Sequence, residues 1–225
     1  MKRGKNIHEE VICMEIQFLG HAAFRVDNVV FDPFITGNDK VKDKINLEGI
    51  HCDIICVTHD HSDHIGDAYE IAKKNDATIV ACAEIAFKAQ SDGYKAEPMN
   101  IGGVITLGDW QIRMVEATHS SASGTPTGFV MTKGDTTLYH AGDTGLFEGI
   151  KLFARHGIDF AMLPIGDRFT MGVDDAAKAA ELIGCRRIIP MHYNTWPPIE
   201  ADPDRLRELT DKEVITFEEG EIKQL

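Results

Sequence analysis

The sequence predicts an α/β domain of the α+β type, a four-layer αββα sandwich with two sheets packed face to face and helices outside. Two observations predict it. Short apolar, β-branched runs bounded by turn residues give way to strand–helix units, and the same order then recurs along the 225 residues. Each half so composed is a sheet with helices on one face, and two such halves bury their sheets against each other. No short sequence repeat accompanies this twofold pattern, so the relation between the halves is architectural.

Taken in order, residues 16–19, 22–26 and 29–31 read as antiparallel strands, and Asp32-Pro33 ends the meander. Residues 36–49 are polar and rich in Lys and Asp, which predicts a loop or short helix. The near-continuous apolar run 53–58 predicts a strand buried on both faces, delivering the chain into His59. Helices are predicted over 67–74 and 83–91, around a strand at 77–81. Strands return at 104–107, 111–117, 129–132 and 136–140, the last two joined by a tight Gly134-Asp135 hairpin. Residues 146–156 predict a helix, 160–164 a strand, 174–183 an Ala-rich helix, 187–191 a strand, 204–209 a short helix and 214–218 a closing strand.

Ordinary apolar and charged fractions exclude disorder. The five cysteines are odd in number and widely spaced, with no C-x-x-C. They read as buried free thiols, which fits a reducing cytosol. No run of about 18 apolar residues is present, so no membrane span is expected. Residues 1–13 lack the apolar core of a signal peptide and read as a flexible N-terminal extension. Residues 14–225 read as a single domain, and the expected location is cytoplasmic.

The chemistry concentrates in Thr58-His59-Asp60-His61-Ser62-Asp63-His64, where four potential ligands follow a buried strand within six residues. In an extended segment His59 and His61 point the same way and can grip one ion. If the chain then turns, Asp63 and His64 reach a second position nearby. Imidazoles with a carboxylate suit Zn²⁺, Mn²⁺ or Fe²⁺.

This H-x-H-x-D-H pattern resembles the metallo-β-lactamase superfamily, and the resemblance covers residues 14–225. The superfamily places a further His after a strand, matched by Ala117-Thr118-His119-Ser120. A metal-bridging Asp is matched by His140-Ala141-Gly142-Asp143-Thr144-Gly145, and a last His by Pro190-Met191-His192-Tyr193-Asn194. The resemblance implies the metallo-β-lactamase fold and a first ion on His59, His61 and His119. It implies a second ion on Asp63, His64 and His192, with Asp143 bridging. The implied cofactors are two divalent ions, Zn²⁺ ahead of Mn²⁺, Fe²⁺ or Ni²⁺, about 3.5–4 Å apart and holding a bridging hydroxide as nucleophile.

Narrower signals resemble a branch of small metal-dependent hydrolases that includes the ascorbate-6-phosphate lactonase-like proteins. They are Leu19-Gly20-His21-Ala22, Phe31-Asp32-Pro33-Phe34, the run Pro164 to Gly172, and His192-Tyr193-Asn194-Thr195-Trp196-Pro197-Pro198-Ile199. The implied reaction is hydrolysis of a small ester, lactone or phosphoester. His21 is a candidate substrate contact or proton donor, and Asp60, alternating away from His59 and His61, a candidate proton shuttle. Asp32 either orients a metal-bound His or makes an Asp-Pro turn. Arg168 either binds a substrate carboxylate or phosphate or lies free on the surface. Tyr193 and Asn194 either polarise a substrate oxygen or make structural hydrogen bonds.

The net charge of −13 reads as a solvated acidic surface. A long polyanion would approach against that field without a basic stripe to meet it, so nucleic acid is not an expected partner. A small-molecule substrate, anionic included, remains compatible, because a dimetal site is itself a strong positive charge. A homo-oligomer is compatible with the family. The competing readings are a transfer-RNA-processing type of nuclease, a glyoxalase II type of thioesterase, an oxygen-reducing diiron protein and a metal-holding protein without turnover. Against the first stands the charge. Against the second stands the short stretch after His192, and against the third His61, where the diiron pattern resembles H-x-E-x-D.

Overall fold

The computed structural model describes residues 13–225. The predicted extension over residues 1–13 therefore falls, except for Cys13, outside the described residues. The chain opens with an antiparallel meander: β1 (Glu15–Gly20), β2 (Ala23–Val26) and β3 (Val29–Phe31). After a 3₁₀ turn at Leu47–Gly49 come β4 (Ile54–Cys56), α1 (Ser62–Ile65), α2 (Ala68–Asn75), β5 (Thr78–Cys82), α3 (Ala83–Ser91) and β6 (Ala96–Met99). Four antiparallel strands follow: β7 (Val104–Leu107), β8 (Trp110–Glu116), β9 (Thr127–Lys133) and β10 (Thr136–His140). The last section holds a 3₁₀ helix at Glu148–His156, β11 (Phe160–Pro164), α4 (Val173–Ile183), β12 (Arg187–Met191), a 3₁₀ turn at Pro197–Ile199, α5 (Pro203–Leu209), β13 (Glu213–Val214) and β14 (Ile222–Gln224).

Among the described residues these strands form two seven-stranded sheets, ordered β14-β1-β2-β3-β4-β5-β6 and β13-β12-β11-β10-β9-β8-β7. Each is antiparallel at one end and parallel at the other, through β3 to β6 and through β10 to β13. The sheets meet face to face. Phe31 of β3 lies 6.5 Å from Phe129 of β9 between ring centroids, and Cys56 Sγ lies 3.8 Å from Met131 Sδ. Helices α2 and α3 pack on β4, β5 and β6, and α4 packs on β11. This is the predicted αββα sandwich.

Local sequence explains the elements. From Trp110 to Met114, β8 alternates buried Trp110, Ile112 and Met114 with exposed Gln111 and half-buried Arg113, the period-2 signature of a strand with one dry face. The parallel strands β4, β5, β11 and β12 are covered on both faces and read as continuous apolar runs. In α4, Ala176, Ala177, Ala179 and Ala180 are buried, and their small side chains let the helix seat closely. It stops at Gly184, whose φ of +68° suits the left-handed cap position and whose N–H returns to the Ala180 and Glu181 carbonyls.

After His61 the chain turns, in the one-turn helix α1. Three details differ from expectation. β6 (AEPM) escapes a propensity reading because of Glu97 and Pro98, yet as the edge of its sheet it tolerates a proline. The helix predicted over 146–156 is 3₁₀. Of the closing strand predicted over 214–218, only Val214 pairs, as part of β13; the chain then crosses to the other sheet, where β14 pairs with β1 and Met14 and Leu225 exchange backbone hydrogen bonds. Cys52, Cys56, Cys82 and Cys185 are buried free thiols, as expected, whereas Cys13 is exposed. Among the described residues no helix is long and apolar enough to cross a membrane.

Candidate metal centre

The residues of interest all leave the C-terminal ends of strands. His21 follows β1, Asp32 follows β3, the run 59–64 follows β4, His119 follows β8, Asp143 follows β10 and His192 follows β12. Two loops of opposite sheets are tied directly, because the His192 N–H donates to the His21 carbonyl at 2.9 Å. His21, Asp32 and His192 all have positive φ, of 58°, 41° and 53°. That conformation is costly for side chains with a Cβ, and such outliers cluster where function holds them.

Eight of the predicted side chains converge. His59 Nε2 lies 3.0 Å from His61 Nδ1, and these two with His119 form one compact donor group. A second holds His21, Asp63, His64 and His192. Asp143 stands between them. Its Oδ1 is 3.2 Å from His64 Nε2, and its Oδ2 is 3.0 Å from His192 Nε2 and 3.5 Å from His119 Nε2. These approaches are close enough for attraction but misaligned for hydrogen bonding. His64 Nε2, His192 Nε2 and Asp143 Oδ1 are buried and have no hydrogen-bond partner. Unpaired buried polar atoms are expensive, and several aimed at one another fit a shared cation.

The model of the Beta-lactamase superfamily domain matches residues 27–193. The chain is 46% identical over 228 residues to a UPF0173 metal-dependent hydrolase of Methanopyrus kandleri, covering 92% of this chain and 98% of that one. The chain belongs to the beta-lactamase superfamily, in its UPF0173 metal-dependent hydrolase family. A UPF0173 metal-dependent hydrolase of Geobacillus thermodenitrificans is 44% identical over 207 residues, covering 85% of this chain and 91% of that one. Among solved structures, Igni18, described as a novel metallo hydrolase from the hyperthermophilic archaeon Ignicoccus hospitalis, superposes with a TM-score of 0.89 at 34% identity, over 95% of this chain and 98% of that one.

In this superfamily member the histidines are held from behind. His64 Nδ1–H donates to Asp32 Oδ2 at 2.8 Å, which turns its Nε2 toward Asp143. The Thr58 hydroxyl donates to the same carboxylate at 2.7 Å and the Thr58 N–H to Asp32 Oδ1 at 2.8 Å. With its proton so used, Thr58 Oγ1 accepts from His59 Nδ1–H at 3.0 Å. One buried carboxylate thereby orients two imidazoles, the arrangement found behind metal-binding histidines. Of the two alternatives for Asp32, the contacts favour the orienting one. Thr58 was not singled out from sequence. Its position as the strand-end hydroxyl immediately before His59 is the signal that could have found it.

Protonation follows from burial and neighbours. Burial, with the charge of His64 beside it, pushes His59 down to about 3. Burial and the adjacent His192 push His21 down to about 4, and burial lowers His119. All three are neutral near pH 7, with a lone pair to offer. Burial opposes charge at Asp143, but His64 and His192 outweigh it and hold the carboxyl well below its ordinary range. At His64 burial again opposes the charge, and Asp143 and Asp32 reverse the outcome, raising it well above the usual imidazole value. A metal on His64 must displace that proton.

His140, quoted only as part of the Asp143 motif, clasps the two sheets beneath the centre. Its Nδ1 accepts from the Gly142 N–H at 3.2 Å, so its Nε2–H donates to the Ala22 carbonyl at 2.9 Å. Its ring stacks on Phe31 at 4.8 Å. His140→Phe keeps the stack and strands both backbone groups. It is expected to lower stability by ~1–3 kcal/mol for each group left unpaired, read as an earlier urea midpoint. An unmoved midpoint would show that the clasp contributes nothing.

The other candidates separate. Asp60 Oδ1 accepts from Ser121 Oγ at 2.7 Å and from the Ala122 N–H at 2.8 Å, so it is turned to the loop after His119 and fixes that loop. Tyr193 and Asn194 share a cavity of about 150 Å³ with His21 and Thr195, and Asn194 Oδ1 accepts from the Ala201 N–H at 2.9 Å. Burial raises the Tyr193 phenol. The half-buried Phe34 and Trp196 rings flank His21 at 5.8 and 4.9 Å. Arg168 is exposed, its guanidinium lying over Phe169 at 5.5 Å, and the structure brings it into neither donor group.

Proposed function

We propose that this chain is a two-metal hydrolase of a small ester, lactone or phosphoester. The observation that carries the reading is Asp143, whose two carboxylate oxygens face imidazoles of both donor groups. His59, His61 and His119 would hold one ion, Asp63, His64 and His192 the other, and Asp143 both. Bound divalent ions there supply Lewis acidity and a water acidified toward neutral pH. Everything else falls to the chain. Asp32 and Thr58 hold the imidazoles in the tautomer that presents Nε2, and His140 holds the two sheets in register. The Asp60 contacts position the His119 loop. Tyr193, Asn194 and the aromatic corner of Phe34 and Trp196 lie where they can orient an organic substrate. The −13 charge argues for a small substrate over a long polyanion.

The test is elemental analysis of the purified protein, followed by a panel of nitrophenyl esters, lactones and phosphodiesters. About two ions of Zn, Mn, Fe or Ni per chain are expected, with turnover abolished by chelation and restored by metal. A fully loaded protein that turns over nothing in the panel would favour a metal-holding protein without catalysis.

A further inference from the structure

We infer that His21 is a protein ligand of the second ion, so that this position is held by His21, Asp63, His64, His192 and the shared Asp143, while the first is left the more open of the two. The inference rests on the two-metal reading and deepens it. His21 Nε2 lies 3.2 Å from Asp63 Oδ2, the same oxygen that faces His64 Nε2 at 4.0 Å and His192 Nε2 at 3.9 Å. The donor atoms of these four side chains all lie within 4.8 Å of one another. The His21 ring stands 4.0 Å from that of His192 and 5.7 Å from that of His64.

The pattern behind the ring is the same as at two of the other ligands, His59 and His64. His59 and His64 each have Nδ1 on a protein oxygen, of Thr58 and Asp32, and Nε2 turned inward. His21 has Nδ1 2.8 Å from Thr195 Oγ1 and Nε2 turned inward. An oxygen on the outer nitrogen is the usual mark of a ligating imidazole. The His21 backbone adds a second argument. At a φ of 58°, between β1 and β2, the turn would ordinarily take Gly or Asn. A wholly buried imidazole there is retained against both strain and desolvation.

The consequence is a division between the two positions. The imidazoles of His21, His64 and His192 are essentially sealed from solvent and only Asp63 of that set is partly exposed, whereas in the first set, which has fewer protein donors, His61 and His119 both keep part of their surface in solvent. A closed ligand set with many protein donors holds metal, and an open one leaves room for substrate.

The competing role for His21 is a hydrogen bond to Asp63 with no contact to metal, and a carboxamide separates the two. Glutamine can donate to Asp63 but is a poor ligand for Zn²⁺. Zn²⁺ affinity would be measured by chelator competition on wild type, His21→Gln, His21→Ala and Thr195→Val, each checked for folding by circular dichroism. Both His21 variants are expected to lose more than about 100-fold at the tighter site, beyond what an outer partner contributes, and Thr195→Val about 10-fold. The visible spectrum of Co²⁺ in that site should change in His21→Gln. A His21→Gln protein with wild-type Zn²⁺ affinities and an unchanged Co²⁺ spectrum overturns the inference. A wild type that holds one ion only refutes the two-metal reading, and His21 is then judged by whether His21→Gln loses that ion.

Discussion

Asp143→Ala is expected to lose metal at both positions and to bring turnover below detection. Its carboxylate faces both donor sets, with Oδ1 toward His64 and Oδ2 toward His192 and His119. Removing it withdraws a ligand from each ion, so affinity should fall by more than the ~10–100-fold that outer partners contribute. The variant also leaves the buried His64 without a carboxylate that sustains its charge, and breaking a buried pair costs about 3–5 kcal/mol. Metal content must therefore be read on protein shown to be folded, with Asp143→Asn as the closer isostere. Full metal and full turnover in Asp143→Ala would end the two-metal assignment.

Asp32→Ala carries the second large effect, and it acts without touching substrate. The carboxylate is fully buried and accepts three hydrogen bonds: Thr58 N–H, Thr58 O–H and His64 Nδ1–H. Alanine strands all three donors and must also adopt the φ of 41°. A loss of about 3–5 kcal/mol is expected from the broken pair alone, measured by urea unfolding of the metal-free protein. Asp32→Asn tolerates the left-handed backbone and keeps an acceptor for Thr58. Its defect should appear as a 10–100-fold weaker metal affinity. Burial opposes the charge on Asp32, but His64 outweighs it and holds the carboxyl below its ordinary range. The stabilisation is therefore complete above about pH 4 and is lost as pH falls through the folded value. The gap between wild type and Asp32→Asn should close in acid, and a gap that persists there would assign the effect to packing.

The run from His59 to His64 was legible because its information is local. Four donors within six residues after a buried strand identify a cation site whatever the rest of the chain does, since alternation aims His59 and His61 together. The apolar run of β4 and the strands β8, β11 and β12 were legible for the same reason. His119, Asp143 and His192 carry no such density. Their convergence came from resemblance, and the distances to Asp143 are a property of the folded sheets.

What only the tertiary structure decided lies at longer range. Asp32 could be read as a turn or as a partner of a metal-binding histidine until β3 paired with β4 and brought it to Thr58 and His64. His21 meets Thr195 across 174 residues of sequence, and β14 meets β1 across more than 200. Asp60 alternates away from its neighbours as predicted, but the loop that receives it could not be named from its own segment. Arg168 shows the reverse, a plausible anion ligand by residue type that its loop leaves in solvent. Side-chain direction within a strand follows from backbone geometry over a few residues. Which loops meet at a sheet end depends on the pairing order of strands far apart in the chain, and short-range periodicity carries no record of it.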